Sequence, residues 1–174
     1  VTNLAPPAGY EFVPLARSHR RAAFDCGNDA VNDWLKARAL QNQQKRLSTS
    51  KVLANADGII AGFFTLATGQ ADFSELPAEL VAKLPRRALP IAIVAWLGVG
   101  LEFHRQGIGT LLVAKALADC HAAGQIFNFV ALVLDCIDEQ AKAFYQRFDF
   151  REIPGKPLRL FLPTATLDAM MRQK

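Results

Sequence analysis

The sequence predicts an α/β (α+β) fold, a mixed sheet flanked by helices, and three observations carry that prediction. An apolar run, Ile91 to Val99, is followed by a glycine-bearing turn, a helix-forming segment from Leu111 to Ala123 and a further apolar run at Val130 to Leu134. A strand, a helix and a strand in that order make a right-handed parallel crossover. Lys51 to Ala56 and Ile59 to Thr68 flank Asp57-Gly58, which reads as an antiparallel hairpin. Finally, 51% of the 174 residues are apolar, enough for one domain, residues 1–174, with an ordinary core.

The elements follow in order. Tyr10 to Leu15 alternates as a first strand, and Phe24-Asp25-Cys26-Gly27-Asn28-Asp29 supplies a turn and a helix cap. Val31, Trp34, Leu35 and Ala39 then share one helical face, and the helix should run to about Gln43. The polar run Gln41 to Ser50 reads as a loop leading into the hairpin. Ser74 to Leu84, flanked by prolines, reads as a short helix or an irregular excursion, and Leu89-Pro90-Ile91 enters the central strand. In the helix after the glycine turn, Lys115 and Asp119 form a narrow polar strip on an otherwise apolar surface, so that helix should be largely buried. Asp138 caps a helix with a face of Ala141, Phe144, Tyr145 and Phe148. Leu158 to Leu162 is a last strand and Pro163-Thr164 to Met171 a short terminal helix.

Composition narrows the class further. The apolar runs are broken well short of the roughly 18 residues a membrane span needs, and Val1 to Tyr10, with Pro6 and Pro7, lacks the pattern of a signal peptide. Cys26, Cys120 and Cys136 have neither metal spacing nor a disulfide framework, which fits a reducing cytoplasm and no metal. The net charge is +4, and the cations cluster at Arg17 to Arg21, at Lys45-Arg46 with Lys51, at Lys83 with Arg86-Arg87, and at His104-Arg105. Either a polyanionic partner or a solvated basic face accounts for that pattern.

The stretch His104-Arg105-Gln106-Gly107-Ile108-Gly109-Thr110 is the centre of the chain. The first amides of a helix lack internal partners and sit at the positive end of its dipole, so a turn of this kind favours a phosphate or pyrophosphate. It is neither a Walker loop, lacking the lysine, nor a dinucleotide fingerprint, having Leu112 in place of a third glycine. By itself, Gly-x-Gly after a strand could equally be a tight connection.

Trp96-Leu97-Gly98-Val99 followed by Arg105-Gln106-Gly107-Ile108-Gly109-Thr110 resembles the acetyl-CoA-binding motif of the GCN5-related N-acetyltransferase (GNAT) family, with His104 at the usual Gln/Arg position. Asp138 to Phe150 resembles the family's Asn-x-x-Ala-x-x-Phe-Tyr-x-x-x-Gly-Phe, with Asp138 and Asp149 in place of Asn and Gly. Phe24-x-Cys26-Gly27-Asn28, then Trp34-Leu35 and Ala39, is similar to the branch of acetyltransferase toxins of type II toxin–antitoxin systems, and Arg86 to Pro90 is like the Pro-rich approach to its central strand. The resemblance implies a GNAT fold, a mixed six- to seven-stranded sheet whose central parallel strands splay apart to admit the pantetheine arm of acetyl-CoA. It implies that Leu97, Gly98, Val99, His104, Arg105, Gln106, Gly107, Ile108, Gly109, Thr110 and Asp138 hold the cofactor. It also implies aminoacyl-tRNA as substrate, a ribbon-helix-helix antitoxin, operator DNA bound only through the antitoxin complex, and a homodimer.

Acetyl transfer needs a neutral amine, a stabilised oxyanion and a proton for the departing thiolate. Periodicity alone leaves Tyr145 as core or as proton donor; the Phe-Tyr match to the family favours the donor. A strand amide near Val99 would meet the oxyanion. Ile91 to Gly100 contains no acid to serve as base, and only Glu102 and His104 could act, through water. Deprotonating a lysine-like amine at pH 7 costs about 4.6 kcal/mol, an α-amine only about 1 kcal/mol. The α-amine of an aminoacyl ester can therefore dispense with a strong base, and Lys45, Arg46, Arg86 and Arg87 are then candidates for phosphate contacts with its RNA. The alternatives are a small-molecule or protein amine as substrate, or a CoA-binding co-repressor module with little turnover.

Overall fold

The computed structural model describes residues 5–173, so Lys174 and the first four residues of the stretch read for a signal peptide lie outside them. Its strands are β1 (Tyr10–Pro14), β2 (Thr49–Asn55), β3 (Ile60–Ala71), β4 (Leu89–Val99), β5 (Ala131–Asp135), β6 (Arg151–Ile153) and β7 (Lys156–Pro163). They form a seven-stranded sheet in the order β1-β2-β3-β4-β5-β7-β6. The expected mixed α/β sheet is thus present, with β6 added to the strands read from sequence. The chain divides into two compact units, residues 1–67 with 95–116 and residues 68–94 with 117–174.

In the first unit, β2 pairs antiparallel with β1 and with β3, and alternation sends its side chains to two cores. Val52, Ala54 and Phe63 pack with Val31, Leu35 and Ala39. Leu53, Ala61 and Phe64 pack with Ile108, Leu111, Leu112 and Ala116 from the first half of α4 (Ile108–Gly124).

The helix expected to reach Gln43 is one continuous run of three windings, α1 (Asp29–Asp33), a π turn (Trp34–Arg38) and α2 (Ala39–Gln44). Its fully buried apolar positions, Val31, Leu35 and Ala39, fall at strict intervals of four. In an α-helix each step of four overshoots a full turn by about 40°. The wider π turn takes up that drift and keeps the three side chains in one core.

The helix ends in a Schellman closure, in which Leu47 N donates to Asn42 O (2.9 Å) and Arg46 N to Gln43 O (3.1 Å), with Arg46 at φ +60. The loop expected over Gln41 to Ser50 is therefore confined to residues 45–48. The hairpin turn is also longer than Asp57-Gly58: the Asn55 side chain accepts from Asp57 N (3.1 Å) and Ile59 N (2.9 Å), holding residues 56–59 out of the ladder.

In the second unit, the excursion of Ser74 to Leu84 contains a 3-10 turn (Phe73–Glu75) and a short helix, α3 (Ala78–Val81). β4 pairs in parallel with β5 at Ile91 with Ala131, Ala92 with Leu132 and Ile93 with Val133. β5 runs antiparallel to β7 from Ala131 with Pro163 to Asp135 with Arg159. β6 and β7 close a hairpin at Gly155, φ +81.

α5 (Glu139–Gln146) is shorter than expected: Phe148 lies past its end, its amide donating to Tyr145 O at 2.9 Å. Asp149, at φ +65, takes the left-handed conformation that ends the helix, the position where the resembled motif has glycine. Asp tolerates this region better than most residues. The last helix, α6 (Thr164–Arg172), is tied at its start by Thr164 Oγ1 donating to Phe129 O at 2.7 Å. By urea unfolding, Asp149→Gly is expected to leave stability within about 1 kcal/mol of wild type, and Asp149→Val to lose about 1–2 kcal/mol.

Candidate active site

The end of β4 is packed too closely for side chains on one face. A Cβ on Gly98 would lie 2.8 Å from Val31 Cγ1 and 3.1 Å from Phe63 Cε1. Leu97 and Val99 point to the opposite face, against the core that holds Ile108 and Leu112. Past the strand, Gly100 N donates to Ala61 O (2.9 Å) and Leu101 N to Asp25 O (2.8 Å). The loop bearing Asp25 is itself locked: its carboxylate accepts from Gly27 N (2.8 Å) and from Asn32 Nδ2 (2.9 Å), while Asn32 Oδ1 accepts from Cys26 N (2.9 Å). Those bonds hold the Asp25 carboxyl below its usual range. Asn28 caps α1 by accepting from Val31 N (3.1 Å), as expected. Buried Asn32 completes this clamp, although its polar type at a helical position gives no warning of the role.

His104 Nε2 lies 2.8 Å from Val99 O, so that nitrogen carries the proton and donates. The ring thus fastens the turn to the strand end through this nitrogen. Glu102, weighed above with His104 as a base acting through water, lines a cleft with Arg20, Asp25, Phe24, Ile60 and Phe103.

The turn itself is exposed from His104 to Gly107, and Ile108 is buried beneath it. His104 N donates to Leu101 O (3.3 Å) and Leu111 N to Gly107 O (3.1 Å). Between them, the six amides from Arg105 to Thr110 donate to no acceptor among the described residues. Arg105 (φ +60) and Gly107 (φ +77) are both left-handed. Backbone of this kind turns successive N–H groups toward one side, making a concavity for an anion at the positive end of the 17-residue α4. Strain at a non-glycine residue such as Arg105 is a common mark of a functional turn.

In the second unit, Asp138 Oδ1 accepts from Ala141 N at 2.7 Å and caps α5. Lys142 Nζ, 3.0 Å from Glu152 Oε2, ties that helix to β6. Tyr145 is half-buried, with its ring edge-on to Phe144 (5.3 Å) and Phe150 (6.0 Å). Its hydroxyl has no hydrogen-bond partner among the described residues. Burial, with the Cys136 thiol as a lesser cause, pushes its pKa well above that of an ordinary tyrosine, so the phenol stays protonated. Burial also pushes Cys120 up to about 12 and Cys136 up to about 11, which leaves both thiols inert.

Of the RNA-contact candidates, Lys45 and Arg46 sit together, exposed, at the end of α2 in the first unit. Arg86 and Arg87 are exposed in the second, with the Arg86 guanidinium 5.7 Å from the Phe73 ring centroid. No helix among the described residues is long and apolar enough to cross a membrane.

Comparison with known proteins gives a consistent picture. Residues 48–152 match the family model of the acetyltransferase (GNAT) domain. The chain is 29% identical over 140 residues to a tRNA-acetylating toxin of Mycobacterium tuberculosis, across 80% of this chain and 83% of that protein. Among solved structures, AtaT complexed with acetyl-methionyl-tRNAfMet is similar with a TM-score of 0.85 at 21% identity, covering 93% of this chain and 99% of the other. An AtaT mutant toxin bound to the C-terminus of the antitoxin AtaR and acetyl-CoA is similar with a TM-score of 0.79 at 18% identity, covering 94% and 98%. At these identities the structural likeness is one of fold.

Gly98→Val should cost about 1–3 kcal/mol in chemical denaturation, the penalty for overfilling a packed core.

Proposed function

The chain belongs to the GNAT acetyltransferase family, and on that premise we propose that it transfers acetyl from acetyl-CoA to the α-amine of an aminoacyl-tRNA, acting as a toxin that blocks translation. The observation that carries the proposal is the row of six backbone donors, Arg105 to Thr110, left without carbonyl partners at the start of α4. They suit the diphosphate of CoA. Leu97, Gly98 and Val99 border the thioester, His104 braces the turn, and Asp138 contributes as the cap of the helix that bears Tyr145. The short parallel register of β4 with β5, three pairs, supports a parting of these strands that admits the pantetheine arm. In this reading residues 1–174 act as a single catalytic domain.

In the reaction, the neutral amine attacks the thioester carbonyl carbon, and a β4 amide near Val99 meets the oxyanion. As the C–S bond breaks, the departing thiolate takes its proton from Tyr145, and the phenolate recovers one from the acetylated nitrogen. Burial keeps the phenol protonated for that task. The lack of any acid from Ile91 to Gly100 favours an amine that is largely neutral near pH 7, such as the α-amine of an aminoacyl ester.

The name of the tRNA-acetylating toxin of Mycobacterium tuberculosis supports this choice of substrate. Lys45, Arg46, Arg86 and Arg87 offer phosphate contacts. By the same reasoning the protein acts in the cytoplasm as a homodimer, is neutralised by a ribbon-helix-helix antitoxin and meets operator DNA only through that complex.

With radiolabelled acetyl-CoA, label should enter charged tRNA and not deacylated tRNA; labelling of a small amine with none on RNA would sink the reading. Tyr145→Phe should lower kcat by about 10²–10⁴ with little change in KM. Because the phenol must be protonated to act and its pKa is raised from 10.0, the alkaline limb it sets lies above pH 10. The kcat profile should therefore hold up to about that pH.

A further inference from the structure

The chain contains two tryptophans, Trp34 and Trp96, and both enter one stack, with ring centroids 5.1 Å apart and planes 10° from parallel. The pair is half-buried. Trp34 Nε1 donates inward to Thr65 Oγ1 (3.1 Å), which in turn lies 2.7 Å from Ser50 Oγ, and both of these residues are fully buried. With its one polar atom satisfied in the interior, Trp34 has only ring left to offer the surface.

Trp34 opens the π turn, and the next outward residues, Lys36, Ala37 and Arg38, are exposed in succession. The turn is pinned from outside: Arg21 Nη1 donates to Lys36 O (3.1 Å) and Asn42 Nδ2 to Arg38 O (3.0 Å). Exposed Lys45 and Arg46 follow at the end of the same helix. Between Asp33 and Arg46 the sequence holds four cations and one carboxylate, Asp33 itself, and the Asp25 carboxylate acts on Lys36 from outside the helix. One continuous helix therefore buries Val31, Leu35 and Ala39, and along one flank of that buried stripe it sets Trp34, Arg38 and Lys45 near one another, with Arg46 at its end, while Lys36 lies on the opposite flank toward Asp25. Stacking faces beside cations are the combination by which proteins hold single-stranded RNA.

We propose that this flank of the helix is the docking surface for the single-stranded RNA end that presents the amine, with its terminal base stacked on the Trp34–Trp96 pair and its phosphates on Arg38, Lys45 and Arg46. The inference rests on the RNA reading of the preceding subsection and adds where and how that RNA is held. Stacking is tolerant of sequence, and every tRNA carries its amino acid on a 3′-terminal adenosine.

Since no other tryptophan is present, indole emission reports on this stack alone. Deacylated tRNA titrated into the full-length protein at low salt should quench that emission saturably. Arg38→Gln with Lys45→Gln should weaken binding about tenfold and flatten the slope of log Kd against log salt by about 1–2. Trp34→Phe, which keeps a smaller ring, should raise KM for charged tRNA several-fold more than it changes kcat. Unchanged emission on tRNA binding, or wild-type affinity and salt slope in the double variant, would overturn the docking surface while labelling of charged tRNA by the wild type left the substrate reading standing. If instead the wild type labels only small amines, the substrate reading fails, and the binding titration still decides the surface.

Discussion

The end of β4 is held from three directions, and the position of the turn that follows depends on that restraint. Ala61 accepts from the Gly100 amide, Asp25 from the Leu101 amide, and the His104 ring reaches back to the Val99 carbonyl. Each bond is modest, about 0.5–1.5 kcal/mol net. Together they fix where the turn leaves the strand, and so where the amides of Arg105 to Thr110 point. A diphosphate held by backbone donors is held only as well as the backbone is placed. The N-terminal segment from Asp25 to Asn32, remote in sequence, therefore helps to place this turn.

Most of the sheet was legible in the sequence because strands with apolar runs and hairpin turns announce themselves by pattern. β4, the helix after it and β5 follow directly from the spacing of Ile91 to Val99, Leu111 to Ala123 and Val130 to Leu134. β6 did not show, since three residues, Arg151 to Ile153, are too few to carry a period of two. The π turn stayed hidden for a different reason: Val31, Leu35 and Ala39 satisfy the helical template whether or not the winding widens between them. The hairpin turn was misjudged because Asn55, outside the Asp-Gly pair, supplies the acceptor that shapes it.

At the candidate site, residue type marked positions but not their local conformations. The glycine spacing located the turn, yet not that Arg105 would adopt a conformation usually left to glycine. Asp149 stands where the resembled motif has glycine and adopts a left-handed backbone that glycine takes without strain. Asp138 caps its helix in the way its position implied. His104 was ambiguous on paper because spacing does not say what the ring of a histidine beside a strand end touches, and the 2.8 Å contact of Nε2 with a carbonyl shows that it tethers the turn.

The Schellman closure of α2 sets an arginine where glycine would sit at less cost. Holding Arg46 left-handed forfeits about 1 kcal/mol that glycine would spare. A chain shaped by durability alone would drift toward the smaller residue. Keeping a guanidinium at that corner sets an exposed charge against that cost, and a thermostabilised form obtained by substitution there would gain rigidity and give up one positive charge beside Lys45.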